Sequence, residues 1–256
     1  MLILDRIGGT EFAENELRES RITTESAPAE ASRMFTRSHM QLIALGLSLA
    51  VLQQITGINV FLYFGTEIFK RLGSSVDTAL LETVAVGAVN LVFTVIAIGT
   101  VDRIGRRPLM ILGAAGMGLC LASMGLSAWV GSPSAWALAP VLGYIAFFAL
   151  SVGPVTWVIL SEIFPTAIRG RGLALASFGL WVANFLVSQT FPILDENRFL
   201  VAHFHHAFPF LVFSAMCGVL ILVTVKWVPE TKGRSLEDIE ITLAFNHANL
   251  GQDQDR

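Results

Sequence analysis

Five stretches of this chain carry no Asp, Glu, Lys or Arg: residues 38–66, 83–101, 108–161, 172–194 and 199–225, of 29, 19, 54, 23 and 27 residues. About 20 predominantly apolar residues cross a bilayer as a helix. Four of the runs therefore hold one span each. The 54-residue run holds two, divided at the turn-forming cluster Gly131-Ser132-Pro133-Ser134. The fold class that follows is an all-α membrane protein of six transmembrane helices, expected at roughly 40–71, 79–101, 109–130, 135–163, 173–194 and 207–228. Composition agrees, with 54% hydrophobic and 14% charged residues; soluble domains run about 45–50% and about 25%.

Six crossings put both termini on one side. Taking 1–39, 102–108, 164–172 and 226–256 as that side collects 14 of the 17 Lys and Arg, and leaves Lys70, Arg71 and Arg198 opposite. By the positive-inside rule both termini are then cytoplasmic. Three regions result: a cytoplasmic linker at 1–36, the six-helix transmembrane unit at 37–228 and a cytoplasmic tail at 229–256, polar and partly disordered. Within the linker, Leu4-Asp5-Arg6-Ile7-Gly8-Gly9 reads as a helix end with a glycine stop, so more chain is expected upstream. The first 30 residues carry acids and no apolar run, so no signal peptide is expected.

Several function classes drop out. A net charge of −3 without a basic face gives nucleic acid nothing to bind. Cys120 and Cys217 both fall inside expected spans, where they build no disulfide framework and no CxxC pair. His203, His205 and His206 lie in an expected outer loop beside Asp195 and Glu196, but at no metal-ligand spacing, so neither a metal nor a cofactor is expected. An enzyme is not expected either. No carboxylate pair, Ser/His/Asp set or HExxH lies at membrane depth, and catalysis needs such positioned groups.

What does lie at membrane depth is a series of neutral polar side chains. On a continuous helix, Gln53, Thr56, Asn59, Tyr63 and Glu67 fall within about a 120° arc. Gln54 lies outside that arc, and a bend at Gly57 is what could bring it round. Such amides serve either as interhelical contacts, worth about 0.6 kcal/mol each, or as the wall of a substrate pathway. Three amides within seven residues favour the pathway. Asn and Gln each donate and accept, which matches hydroxyl groups that do both, so the expected ligand is a polyol or sugar. Trp157 follows Gly153-Pro154 and supplies an indole for the apolar C–H face of a sugar. Pro154 removes a backbone hydrogen bond inside a span, as in discontinuous transporter helices. Asn90 and Asn184 are weaker candidates, equally read as helix contacts. On the cytoplasmic side, Asp102, Arg103, Arg106 and Arg107 sit in one short connection, with Glu162, Arg169 and Arg171 at the end of the next helix pair. Ion pairs among them could hold one conformation closed.

The strings QQITGINVFLYF, DRIGRRP, GPVTWVILSEIFPTAIRGR and VPETKGRSLEDIE resemble the sugar-porter branch of the major facilitator superfamily, in the order of that family's C-terminal six helices. LVAHFHHAF and QTFPILDEN are most similar to its bacterial D-xylose:proton symporter branch, and 1–36 resembles the end of the family's intracellular helical region. The resemblance implies a fold that is one half of the superfamily's twelve helices, with sugar transport by alternating access, coupled to protons, in a bacterial inner membrane. It implies sugar contacts at Gln53, Gln54, Asn59, Tyr63, Asn90, Gly153 and Trp157, and a gating charge network of Asp102, Arg106, Arg107, Glu162 and Arg169. Two departures stand out. Leu180 precedes Trp181 where the D-xylose branch carries glutamine, and there are six spans with one DRIGRR motif, where the family has twelve spans and carries its coupling aspartate in the other half. The expected partners are therefore a small-molecule sugar, the lipid bilayer, and a separate N-terminal six-helix half or a second copy of this chain. The alternative is a non-transporting sugar-binding or regulatory membrane protein, or an inactive truncated remnant.

Overall fold

The structure is a computed structural model that describes residues 37–71, 75–130, 138–166, 168–230 and 232. The expected linker 1–36, the cluster 131–134, and the tail 229–256 apart from Pro229, Glu230 and Lys232 lie outside the described residues. Among the described residues, six helical segments are long and apolar enough to cross a membrane: His39–Lys70, Val76–Ile104, Arg106–Trp129, Leu138–Ile163, Arg169–Asp195 and Phe208–Trp227. Their mean hydropathies run from 1.4 to 2.4.

The first span is two helices, α1 (Arg37–Ile55) and α2 (Ile58–Arg71), and not the continuous helix assumed for the arc of polar residues. They meet at Thr56-Gly57, where Gly57 has φ +91°, a conformation that side chains rarely adopt. A Cβ there would also sit 2.6 Å from the Phe213 ring. The break leaves the Thr56 carbonyl to be satisfied from elsewhere, and Tyr144 donates its hydroxyl to it at 3.0 Å.

The second and third spans are α3 (Val76–Ile104) and α4 (Arg106–Trp129). The sequence suggests a seven-residue connection at 102–108; the structure reduces it to Gly105 alone, at φ +100°. The fourth span is α5 (Leu138–Phe147), a π-helical turn at Phe148–Val152, and α6 (Gly153–Ile163). In the turn, the Gly153 N–H reaches back five residues to the Phe148 carbonyl, immediately before Pro154. A proline has no N–H to continue the ladder, and a widened turn is one way to absorb that. The fifth span, α7 (Arg169–Asp195), starts four residues earlier than expected, so Arg169 and Arg171 lie in its first turn.

Between the fifth and sixth spans the expected loop contains a short helix, α8 (Arg198–Phe204), whose first amides are capped by Asn197 Oδ1 accepting from Phe199 and Leu200. The last span is α9 (Phe208–Trp227).

Packing joins α4 to α9 and α1 to α7 along their lengths, with α5 and the π turn between α3 and α4. Gly113 permits the closest approach, since a Cβ there would fall on the Ser151 hydroxyl. Leu49, Phe61, Met117, Leu121, Tyr144 and Leu160 fill the centre. α3 stays outermost, with Leu81, Val84, Leu91, Val95 and Ile98 exposed.

Candidate functional site

The break in α1–α2 and the π turn before α6 face each other, and a cavity of about 410 Å³ opens beside them. Gln53, Gln54, Asn59, Asn90, Gly153 and Trp157 line it. Six of the seven residues named as sugar contacts are thus brought together. Tyr63 is not among the lining residues; its hydroxyl accepts from Asn184 Nδ2 at 3.3 Å, tying α2 to α7. Thr56 turns inward and donates to the Gln53 carbonyl at 2.7 Å, and Glu67 lies beside Lys70 at 3.8 Å, so neither joins the cavity wall.

The amides are held in defined orientations. Gln53 is only 2% exposed. Its Nε2 donates to the carbonyls of Val152 and Gly153 at 3.1 and 3.0 Å, while its Oε1 is buried without a partner. Asn59 Nδ2 donates to Gln54 Oε1 at 2.7 Å. The break brings Gln54 round to Asn59, which a continuous helix would have kept apart. Leu62, Phe148, Leu180 and Trp181 also line the cavity with Trp157. Leu180 and Trp181 were singled out only through the resemblance, while Leu62 and Phe148 carried no signal that set them apart from any other span residue. Among the described residues, the lining includes no Asp, Glu, Lys or Arg. The chemistry offered is amide groups together with indoles, suited to a neutral ligand that carries both hydroxyls and C–H groups. A larger groove of about 570 Å³ between α1, α7 and α9 offers, among the described residues, Thr190 as its one polar side chain.

Where α3 meets α4, Arg106 Nη2 lies 3.1 Å from Asp102 Oδ1 and 3.0 Å from Glu162 Oε1, and its Nε adds a contact to Glu162 at 3.2 Å. Three of the five expected network members are thus in direct contact. Arg107 donates to the Val225 carbonyl, and Arg169 Nε to the Phe164 carbonyl at 3.2 Å. Glu230 is the member that sequence reading missed. Its two carboxylate oxygens accept from the backbone N–H groups of Arg106 and Arg107 at 3.1 and 3.2 Å, capping the start of α4.

The histidines between α8 and α9 take part in packing contacts. His205 and His206 both have positive φ, at 46° and 67°. Their Nδ1 atoms lie 3.1 Å from the Trp129 carbonyl and from the buried Asp195 carboxylate. They link the C-terminal ends of α4 and α7 just before α9 begins.

Comparison with known proteins places this geometry. The family described as Sugar (and other) transporter matches residues 3–243. The D-xylose-proton symporter of Escherichia coli (strain K12) is 45% identical over 238 residues, covering 93% of this chain and 48% of the relative. The glucose facilitated diffusion protein of Zymomonas mobilis subsp. mobilis is 47% identical over 195 residues, covering 76% of this chain and 41% of the relative. A solved structure of the proton:xylose symporter XylE bound to 6-bromo-6-deoxy-D-glucose superposes with a TM-score of 0.79 at 44% identity, covering 94% of this chain and 50% of that one. The chain spans about half the length of the curated relatives it matches.

Proposed function

The chain belongs to the sugar transporter family, and on that premise we propose that it is the C-terminal six-helix half of a transporter that moves a monosaccharide, a pentose or a hexose, by alternating access. One observation carries this reading: six of the seven residues chosen for sugar chemistry line a single uncharged cavity at the break of the first span. Gln53, Gln54, Asn59 and Asn90 take the hydroxyl edge, Trp157 stacks on the C–H face, and Gly153 keeps the wall beside Gln53 close. Tyr63 acts above the cavity, with Asn184, as part of the outer closure. The cluster of Asp102, Arg106 and Glu162, together with Arg107, Arg169 and Glu230, holds the cytoplasmic ends in one of the two conformations.

The other half is proposed as a separate six-helix N-terminal unit or a second copy of this chain. Asn90 and Thr94 line the cavity from α3, whose neighbouring side chains are exposed. Unsatisfied polar groups facing lipid cost several kcal/mol each, so a covering partner stabilises this face. Proton coupling, by resemblance, uses a carboxylate in that other half. The setting proposed is a bacterial inner membrane with both termini cytoplasmic, in keeping with the lysine and arginine bias.

The test is sugar binding by membranes that hold this chain in its assembly, measured by competition across a panel of pentoses and hexoses. At least one should bind. Trp157→Ala, or Gln53→Ala combined with Gln54→Ala, should abolish that binding. Unchanged affinity in both variants would refute the assigned cavity. Counterflow of the bound sugar separates transport from binding alone, and its absence in an assembly that binds favours the non-transporting alternative.

A further inference from the structure

The groove of about 570 Å³ between α1, α7 and α9 lies on a different face of α7 from the sugar cavity. Leu180 and Trp181 line the cavity, whereas Val182 and Leu186 line the groove and stay 41% and 55% exposed. Thr190 is the one polar side chain among its described lining residues, so water has almost nothing to bond there. At membrane depth such a groove fills with hydrocarbon. Along α1 it is lined at every fourth residue, by Ile43, Leu47, Val51 and Ile55. That stripe is about 18 Å long on a helix, close to the half of an about 30 Å hydrocarbon core that one leaflet supplies.

Basic groups stand at one end of the stripe. The first and fifth spans run in the same direction and are held in register where Leu47 lies over Gly179, leaving no room for a Cβ on that glycine. Four residues back from this pair, Ile43 and Leu175 still line the groove. Four further back, on the same two helix faces, are His39, half-buried, and Arg171, exposed. Neither helix carries an acid in its first turn. At its other end the groove stops at Leu194, and α7 finishes at Asp195 with Glu196 following.

We propose that this groove holds one acyl chain of an anionic phospholipid, whose phosphate is met by Arg171 and His39 where α1 and α7 begin. A guanidinium offers a phosphate paired N–H donors, and the acids at the far end disfavour the same headgroup there. A choline phospholipid brings the same chain, but its own cation offsets the phosphate, so it gains less from Arg171. The lipid tail sets the depth of the site and the charge sets its end.

The experiment takes the assembly that contains this chain, purified in detergent and stripped of lipid. It is titrated with dioleoylphosphatidylglycerol and dioleoylphosphatidylcholine, and native mass spectrometry counts the lipid retained. The unaltered protein should retain the glycerol lipid about fivefold better than the choline lipid. Arg171→Gln should bring the two to within about twofold of each other. Val182→Trp, which sets an indole into the groove at a half-exposed position, should remove the preferred lipid altogether. Leu186→Trp serves where Val182→Trp does not fold. Leu119→Trp, on the exposed side of α4, should leave the preference intact. Equal retention of the two lipids, or a preference that survives either Arg171→Gln or the filled groove, overturns the proposal. So does a folded assembly that retains neither lipid and in which Val182→Cys cross-links to another chain, since protein then covers the groove.

Discussion

Tyr144 on the fourth span donates its hydroxyl to the carbonyl of Thr56 at 3.0 Å, across 88 residues of chain, at the point where the first span breaks. Its ring packs on Phe61 of the outer half-helix, centroid to centroid at 4.8 Å. One side chain therefore closes the open backbone of the break and bears on the helix beyond it.

Tyr144→Phe keeps the ring contact and removes only the hydrogen bond. The Thr56 carbonyl is then buried and unmet, and the expected loss is about 1–3 kcal/mol of stability. Thermal unfolding in detergent, followed by intrinsic fluorescence, reads it directly. Sugar affinity should fall in the same variant, because Gln54 and Asn59 flank the break and depend on its geometry. A variant as stable as the parent would show that the break needs no closure from the fourth span.

Leu180 is 6% exposed and lines the cavity together with Trp181 and the amides. It presents methyl groups where an amide would give a hydroxyl a partner. Leu180→Gln should raise affinity for D-xylose, on the order of tenfold for one added hydrogen bond in a shielded site. Equilibrium competition with unlabelled D-xylose is the measurement. No gain would mean that this stretch of wall does not set the choice of sugar.

Arg106 bridges two carboxylates of different standing. Asp102 is 77% exposed, whereas Glu162 is 24% exposed and makes two contacts to the guanidinium. Screening by water makes an exposed pair worth about 0–1 kcal/mol, and a more sheltered two-point contact is worth more. Asp102→Asn should therefore change the balance of inward and outward states little, and Glu162→Gln clearly. Labelling of single cysteines placed at each mouth reports that balance. Equal effects from the two variants would show that sheltering does not rank them.

How far this site is legible from residues alone depends on what each feature is made of. The spans are legible because charge cannot be hidden in hydrocarbon, and the first 20 or so residues after Arg37 already say so. The break at Thr56-Gly57 is legible only as a bend that Gly57 permits. Its extent is set by the folded chain, where the Phe213 ring occupies the space a Cβ at Gly57 would need. The arc drawn on an unbroken helix consequently left Gln54 out and Tyr63 in, whereas the folded chain reverses both. Trp157 was legible as an indole beside Gly153-Pro154 at membrane depth, whereas Asn90 read equally as a helix contact and joined the sugar set only by resemblance. Phe148 was hidden by looking like every other apolar side chain, whereas Leu180 stood out only where the resemblance set it against a glutamine. Glu230 was visible as part of VPETKG, but its partners are backbone amides, which no pattern of side chains marks.

That last contact has a bearing on how the protein is made. The amides of Arg106 and Arg107 belong to the third crossing, yet the carboxylate that covers them comes 124 and 123 residues later, past the sixth. Until the sixth crossing is in place those amides can be met by water but not by this carboxylate. The contact also requires the start of the third crossing and the end of the sixth to lie on the same side of the bilayer, so a sixth crossing inserted backwards could not make it.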